Sequence, residues 1–194
     1  MQSVNHALFQ WIGAGHAPHA PLLCSARLVG EGSSCFCLAL LGGVAWRRPA
    51  QRAYAMATLV AAAVAAVAAH ALADALNMPR PFASGMSPSY IEHGARGSLP
   101  STHASVMFTV ALVMALRPAL RNFGWAVFAV ALLTGWARVY VGVHFPLDIA
   151  AGLALALVIA ALFQALAFVV RRFIVPLIAR DNARTAQAAG SFGA

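Results

Sequence analysis

Long apolar runs constrain the fold of this sequence more than any other feature. They cover approximately residues 21–46, 53–76, 101–117, 123–141 and 146–170. A helix rises about 1.5 Å per residue, so runs of this length approach or exceed the roughly 30 Å thickness of a bilayer's hydrocarbon core. Only 9% of the 194 residues are charged and the mean hydropathy is +0.77. The sequence therefore predicts an all-α, polytopic integral membrane bundle of about five transmembrane helices, and excludes a soluble enzyme or a disordered chain.

The positions of the arginines predict the topology of this bundle. All 13 basic residues are arginine and the net charge is +8. Cytoplasmic segments of membrane proteins are enriched in basic residues. Nine arginines fall on one side of the predicted membrane, namely Arg47, Arg48, Arg52, Arg117, Arg121, Arg171, Arg172, Arg180 and Arg184. We expect this side to be cytoplasmic, with the N-terminus outside. Arginines placed between apolar runs suggest topology and no nucleic-acid partner.

The first apolar run is the least certain span. It contains Arg27 and Glu31, which stand four residues apart and could pair on one helical face. Whether residues 21–46 cross the membrane completely stays open, as do the roles of the two charges. No basic residue precedes Arg27, so we expect no cleavable signal peptide.

The remaining segments suggest one domain. We expect a single membrane-embedded domain over residues 1–170, with active-site loops at 77–103 and 138–148. The first loop is rich in proline, glycine and serine. Residues 171–194 are polar and are expected to form a disordered cytoplasmic tail.

The predicted outer face gathers the polar residues that carry chemistry. The third run leads inward from His103, and the fourth returns outward to Arg138, so both residues lie at a similar depth. The candidate site residues on this face are Arg80, Ser101, Thr102, His103, Arg138, His144 and Asp148.

These residue types suit phosphoryl transfer. Arginine has a planar fork of donors that matches phosphate oxygens. Ser101 is placed to cap the third helix, whose N-terminus would attract an anion. His144 can act as a nucleophile, and Asp148, four residues later, can hold its other ring nitrogen. His103 is then free to act as the general acid.

The same residues form three blocks that resemble the signature of the type 2 phosphatidic acid phosphatase superfamily. The blocks are Arg80-Pro81, Pro100-Ser101-Thr102-His103 and Arg138-x5-His144-x3-Asp148, and the resemblance covers roughly residues 50–165. The stretches around Glu92-His93 and residues 138–148 are most similar to the bacterial undecaprenyl-diphosphate phosphatase branch.

The resemblance implies specific roles. The position of His144 is the family's nucleophile and becomes phosphohistidine, the position of Asp148 orients it, and that of His103 is the general acid. The positions of Arg80, Ser101 and Arg138 bind phosphate, and we include Thr102 with them. No metal or cofactor is required, which agrees with the scarcity of carboxylates on the outer face.

The sequence departs from the family pattern at three positions. Ala73 replaces the lysine that usually lies seven residues before the first arginine, Met78 replaces an arginine, and Thr102 replaces glycine or aspartate. One or two phosphate contacts are therefore missing. Residues that could compensate are Arg27, His93 and Arg96. Glu92 and His93 could equally be solvated loop residues, and His70 is expected to be a buried, hydrogen-bonded histidine.

The resemblance implies a hydrolase that converts undecaprenyl diphosphate to undecaprenyl phosphate at the periplasmic face of a bacterial inner membrane. Its partners would be the lipid diphosphate and membrane lipids, and bacitracin resistance would be a cellular consequence. Another lipid phosphatase, acting on phosphatidic acid, phosphatidylglycerol phosphate or lipid A, remains open. So does a non-enzymatic transporter or scaffold, although transporter sites usually lie at mid-membrane. The oligomeric state is not predicted.

Overall fold

The computed structural model describes residues 2–178, and this part of the chain contains helices and loops but no β-strand. Short 3-10 turns at Pro49–Gln51 and Pro118–Leu120 precede the third and fifth helices. The helices are α1 (Gln2–Ile12), α2 (Ala20–Arg47), α3 (Arg52–Leu76), α4 (Thr102–Ala115), α5 (Arg121–Tyr140) and α6 (Pro146–Val169). The predicted all-α fold is confirmed.

Four stretches of the described chain are long and apolar enough to cross a membrane. They are Ala20–Arg47, Pro49–Leu76, Pro118–Tyr140 and Pro146–Ile178. The third predicted span, residues 101–117, corresponds to α4, which has 14 residues and a length of only about 21 Å. The first run forms one unbroken helix despite its two charges. The N-terminal segment adds a helix that the sequence did not predict, α1, which packs against α5.

Helix α4 is the centre of the bundle. Its sequence is apolar on every face, as expected for a helix with neighbours on all sides. It packs against α3 and α5, while α2 packs against α5. The core includes Met107 and Phe108 of α4 with Val127 of α5, each at most 1% exposed. Because α4 is enclosed, its first residues are held in a fixed position relative to the neighbouring helices.

Helix α3 turns small residues inward and large residues outward. Ala65 and Ala69 are fully buried, whereas Val60 and Val67 are 63% and 71% exposed. Small residues allow close approach of helix backbones in membranes, and lipid can cover the larger apolar side chains. The small residues of α3 therefore allow close packing against its neighbours in the bundle.

The arginine-bearing turns before α3 and α5 meet at one end of the bundle. Nη1 of Arg48 donates to the carbonyl of Ala119 over 2.7 Å. Nε of Arg117 donates to Oε1 of Gln51 over 3.0 Å. Helices α3 and α5 start at this end, so the loops that follow them lie at the opposite end.

The chain divides into two compact units, residues 1–160 and 161–194. The first contains α1 to α5 and the first part of α6. In the described part of the second, the last residues of α6 are followed by a π-helical segment, Val170–Ile174. Residues 175–178 are helical. The rest of the predicted disordered tail, including Arg180 and Arg184, lies outside the described residues, so that part stays a prediction.

Candidate active site

His144 lies in the short loop between α5 and α6, with an exposed fraction of only 2%. The second residue of this loop, Gly142, has a φ of +82°, which lies in the left-handed region. A Cβ at this position would clash with the carbonyl oxygen of Pro88. The positive φ and the close carbonyl oxygen both require glycine at this position. The turn therefore seats His144 directly against the loop that connects α3 to α4.

Asp148, in the first turn of α6, fixes the orientation of His144. Nδ1 of His144 lies 3.2 Å from Oδ2 of Asp148. The backbone N–H of Phe145 donates to the same oxygen over 2.8 Å. A carboxylate only accepts, so the neutral imidazole carries its proton on Nδ1 and its lone pair on Nε2. This is the form in which Nε2 can act as a nucleophile.

Arg80 lies next to that lone pair. Its Nη1 is 3.2 Å from Nε2 of His144 and donates to the carbonyl of Val143 over 2.9 Å. Its Nε and Nη2 donate to the carbonyls of Arg96 and Gly97 over 2.8 and 3.1 Å. Backbone carbonyls from two loops therefore hold the guanidinium beside the nucleophile, where it can meet a phosphate without rearrangement.

Burial and positive charge keep His144 neutral. Burial lowers the pKa of its imidazole well below the usual 6.5, and the charges of Arg138 and Arg80 lower this pKa further. Burial also lowers the pKa of Arg80, while the charge of Asp148 opposes that effect. A histidine without a proton on Nε2 at neutral pH is ready to attack phosphorus.

Ser101 joins the start of α4 to the start of α6. It is the N-cap residue of α4, and its hydroxyl accepts a hydrogen bond from the N–H of Ala104 over 3.5 Å. Its own N–H donates to the carbonyl of Asp148 over 3.0 Å. The predicted cap is confirmed. Gly152 permits this approach of the two helices, because a Cβ there would lie 2.8 Å from Cβ of Ala104.

A pocket of about 200 Å³ opens in front of Arg80 and His144. Four of the predicted site residues line it: Arg80, Thr102, His103 and His144. Asp148 and Ser101 are buried behind them. The complete lining consists of His70, Ala73, Asp74, Arg80, His93, Gly94, Arg96, Gly97, Thr102, His103 and His144.

Arg138 does not line this pocket. Its Nη1 donates to the carbonyl of Gly30 over 3.1 Å, and its buried Nε has no hydrogen-bond partner among the described residues. Its charge still reaches the site, since it lowers the pKa of His144. The predicted phosphate contact of Arg138 therefore stays a prediction.

His93 lies closer to the nucleophile than the sequence indicated. Its ring meets that of His144 edge to face, with centroids 5.8 Å apart and planes at 86°. Burial lowers the pKa of His93 to about 4, and the charge of Arg80 contributes. In the sequence, the signal for a place near the nucleophile was the stretch Glu92-His93, which resembles the undecaprenyl-diphosphate phosphatase branch.

His70 also differs from expectation. It is hydrogen-bonded as predicted, with Nδ1 3.0 Å from the hydroxyl of Thr102, but the ring is exposed and lines the pocket. The signal that could have found it is its position, one helical turn before Ala73. Of the residues expected to compensate at Ala73, Arg96 and His93 line the pocket.

Arg27 and Glu31 do not form the expected pair. Within residues 2–178, neither side chain lies within 4.0 Å of an oppositely charged group. Both Arg27 and Glu31 are exposed and line a groove beside residues 89–92. Also within residues 2–178, no three His, Cys, Asp or Glu side chains are grouped as metal ligands would be. Metal independence stays a prediction.

Residues 54–172 match the PAP2 superfamily. The chain belongs to the PAP2 superfamily. Undecaprenyl-diphosphatase BcrC of Bacillus subtilis (strain 168) is 34% identical over 96 residues, which cover 50% of this chain and 49% of the relative. Putative undecaprenyl-diphosphatase YbjG of Escherichia coli (strain K12) is 30% identical over 155 residues, covering 79% of this chain and 77% of the relative. The first match spans about half the length of that relative.

A solved structure shows the same fold. LpxE of Aquifex aeolicus superposes with a TM-score of 0.67 at 24% identity, covering 82% of this chain and 93% of that one. Membership of the PAP2 superfamily confirms the resemblance predicted from the three blocks. The two undecaprenyl-diphosphatase relatives support the branch that the sequence resembles.

Proposed function

We propose that this PAP2 protein removes the terminal phosphate of undecaprenyl diphosphate and releases undecaprenyl phosphate. The observation that carries the proposal is the position of His144, with Nδ1 on Asp148 and Nε2 3.2 Å from Arg80 in the wall of an open pocket. The names of the two relatives support a diphosphate substrate.

In the first step, Nε2 of His144 attacks the terminal phosphorus. The bond between that phosphorus and the bridging oxygen breaks, and His103 gives its proton to the bridging oxygen as the lipid phosphate leaves. The imidazole becomes phosphohistidine, and Asp148 stabilises the positive charge that develops on the ring.

The transferred phosphoryl group spreads negative charge over three oxygens. Arg80 lies beside the attacking nitrogen. The first residues of α4, Thr102 and His103, line the pocket, so the positive end of this helix can also stabilise the charge. Arg138 adds charge, and its unpaired Nε would gain a partner if an anion reached it.

In the second step, water attacks the phosphorus of phosphohistidine. The P–N bond breaks, its electron pair returns to Nε2 of His144, and the water proton passes to His103. Inorganic phosphate then leaves, and His103 is again ready to act as an acid. The same residue serves both steps, as microscopic reversibility requires.

We further propose that the pocket faces the periplasm from a bacterial inner membrane. The turns that carry Arg48 and Arg117 lie at one end of the bundle, and the site loops follow the opposite ends of α3 and α5. Arginine-rich ends favour the cytoplasm. A cysteine introduced at exposed Ala95 should react with an impermeant thiol reagent in intact cells if all native cysteines are replaced.

The test of activity is phosphate release from undecaprenyl diphosphate by the purified protein in detergent with EDTA. We expect release by the wild type, loss in His144→Ala, and retention in His16→Ala, an exposed histidine outside the pocket. A ³²P-labelled substrate should label the wild-type protein with an acid-labile, base-stable phosphate. Release by His144→Ala, or dependence on added metal, would contradict the mechanism. Hydrolysis of phosphatidic acid, phosphatidylglycerol phosphate or lipid A in preference would contradict the substrate.

A further inference from the structure

The pocket continues past the catalytic residues to a wall that the mechanism does not use. This wall contains His70 from the last turns of α3 and Thr102 from the first turn of α4. Nδ1 of His70 and the hydroxyl of Thr102 lie 3.0 Å apart. Thr102 is the neighbour of His103 in sequence, so the wall adjoins the site where the leaving oxygen is protonated.

A count of hydrogens shows what this pair offers to a ligand. A neutral histidine has one N–H and threonine has one O–H. One of these two hydrogens is used in the bond between them. If Thr102 donates to Nδ1, His70 keeps a free Nε2–H; if Nδ1–H donates to Thr102, the hydroxyl keeps its hydrogen. In both arrangements one donor remains, on residues that line the pocket.

Charged residues also line the pocket. Arg80 contributes a positive charge beside His144. Arg96 and Asp74 are both exposed and have opposite charges, so together they add no net charge to the lining. Ala73 adds an apolar residue to it. The free donor of the pair is then available to a ligand in addition to Arg80.

We propose that His70 and Thr102 bind the lipid-side phosphate of a prenyl diphosphate while Arg80 and His144 hold the terminal phosphate. The inference rests on the proposed function and deepens it, because it assigns the preference for two consecutive phosphates to a definite pair. A monophosphate lipid places its single phosphate at Arg80 and His144 and leaves the pair without a ligand.

The test compares farnesyl diphosphate with farnesyl monophosphate, since the two differ only in the second phosphate. His70→Ala is expected to lower kcat/KM for the diphosphate by about tenfold, the effect of one hydrogen bond to a charged group, and that for the monophosphate by less than about twofold. His70→Gln keeps an N–H donor and should recover most of the loss. Leu72→Ala, on the same helix but outside the pocket, is the matched control and should change neither.

A second measurement does not depend on turnover. Pyrophosphate should raise the melting temperature of the wild type more than inorganic phosphate does, and His70→Ala should remove this difference. Because neither ligand carries a lipid, this measurement also separates recognition of the two phosphates from recognition of the lipid.

The outcomes are distinct. An equal loss on both substrates would assign His70 to the stability of the pocket and overturn the inference, as would no loss on either. If the wild type hydrolyses neither lipid but still distinguishes pyrophosphate from phosphate through His70, the proposed reaction fails while the binding pair stands. If His70→Ala does not alter that distinction, the pair fails as well.

Discussion

The imidazole of His93 meets the imidazole of His144 edge to face, with ring centroids 5.8 Å apart. His144 is thus restrained from three directions, by Asp148 at Nδ1, by Arg80 at Nε2 and by His93 against the ring. A nucleophile held in this way needs little reorganisation before it attacks. The contact also assigns a structural role to a loop histidine that could have been purely solvated.

If His93 acts through its ring, an aromatic replacement should preserve activity. We expect His93→Phe to keep kcat within about threefold of the wild type, and His93→Ala to lower kcat about tenfold, since an aromatic pair contributes about 0.5–1.5 kcal/mol. Single-turnover formation of phosphohistidine would measure the effect directly. Equal losses in both variants would instead point to a role for the ring nitrogens.

His93 should also make the protein less stable in acid. Its pKa is about 4 in the folded state and 6.5 when unperturbed. Between pH 6.5 and pH 4, the unfolded state therefore binds more protons than the folded state. The free energy of unfolding decreases as the pH falls through that range. The melting temperature should fall less in His93→Phe than in the wild type between pH 7 and pH 5. A parallel fall in both would contradict the shifted pKa.

Asp148→Asn should nearly abolish catalysis without unfolding the bundle. The amide cannot stabilise a positively charged imidazole, and its NH₂ group would favour the wrong tautomer of His144. We expect phosphohistidine formation to slow by about 10³-fold or more, as when the carboxylate of a comparable triad is replaced. Asp74→Asn, at the exposed rim, is a matched control for loss of charge. Comparable losses in the two variants would argue against the orienting role.

The pH profile of kcat/KM should be bell-shaped with an extended acid limb. His144 must be neutral to attack, and burial with nearby arginines places its pKa well below 6.5. Activity should therefore persist below that pH. It should fall on the alkaline side of an acidic optimum as His103 loses its proton, because burial and the charge of Arg138 lower the pKa of this imidazole to about 4. His103→Asn should remove the alkaline limb. A rate that rises steadily from about pH 4 to pH 9 would contradict both roles.

Gly142→Ala should destabilise the protein and inactivate it together. A left-handed backbone at a non-glycine residue costs on the order of 1–3 kcal/mol. The added methyl would also press on the carbonyl of Pro88. Gly43→Ala in α2 is the matched control, because a Cβ there would meet nothing within 4 Å. Thermal unfolding with parallel assays of phosphate release would test the expectation, and two indistinguishable variants would disprove it.

The helices and the nucleophile pair were predictable from local patterns. The predicted runs agree with α2 to α6 within about two residues, because a bilayer demands continuous apolar stretches. The contact between His144 and Asp148 was predictable because the two residues are only four apart in sequence, at the start of α6. The cap at Ser101 follows from the residues beside it.

The remaining parts of the site depend on contacts between segments far apart in sequence. The contact of His93 with His144 and that of His70 with Thr102 arise only when the loop after α3 closes over α4 and α5. The partner of Arg138 is a carbonyl in α2, which no motif encodes. Helix α1 was missed because it has only 11 residues and mixes polar with apolar ones, so it forms no long apolar run.

Arg80 has a further consequence for how variants of this protein are interpreted. Its guanidinium bonds to carbonyls in three places, at Val143, Arg96 and Gly97, and so ties two loops to each other through one side chain. A lysine would keep the charge but has no planar fork to span these three oxygens. The kinetic defect of any Arg80 variant therefore combines lost charge with a loosened scaffold, and a structure of that variant is needed to separate the two.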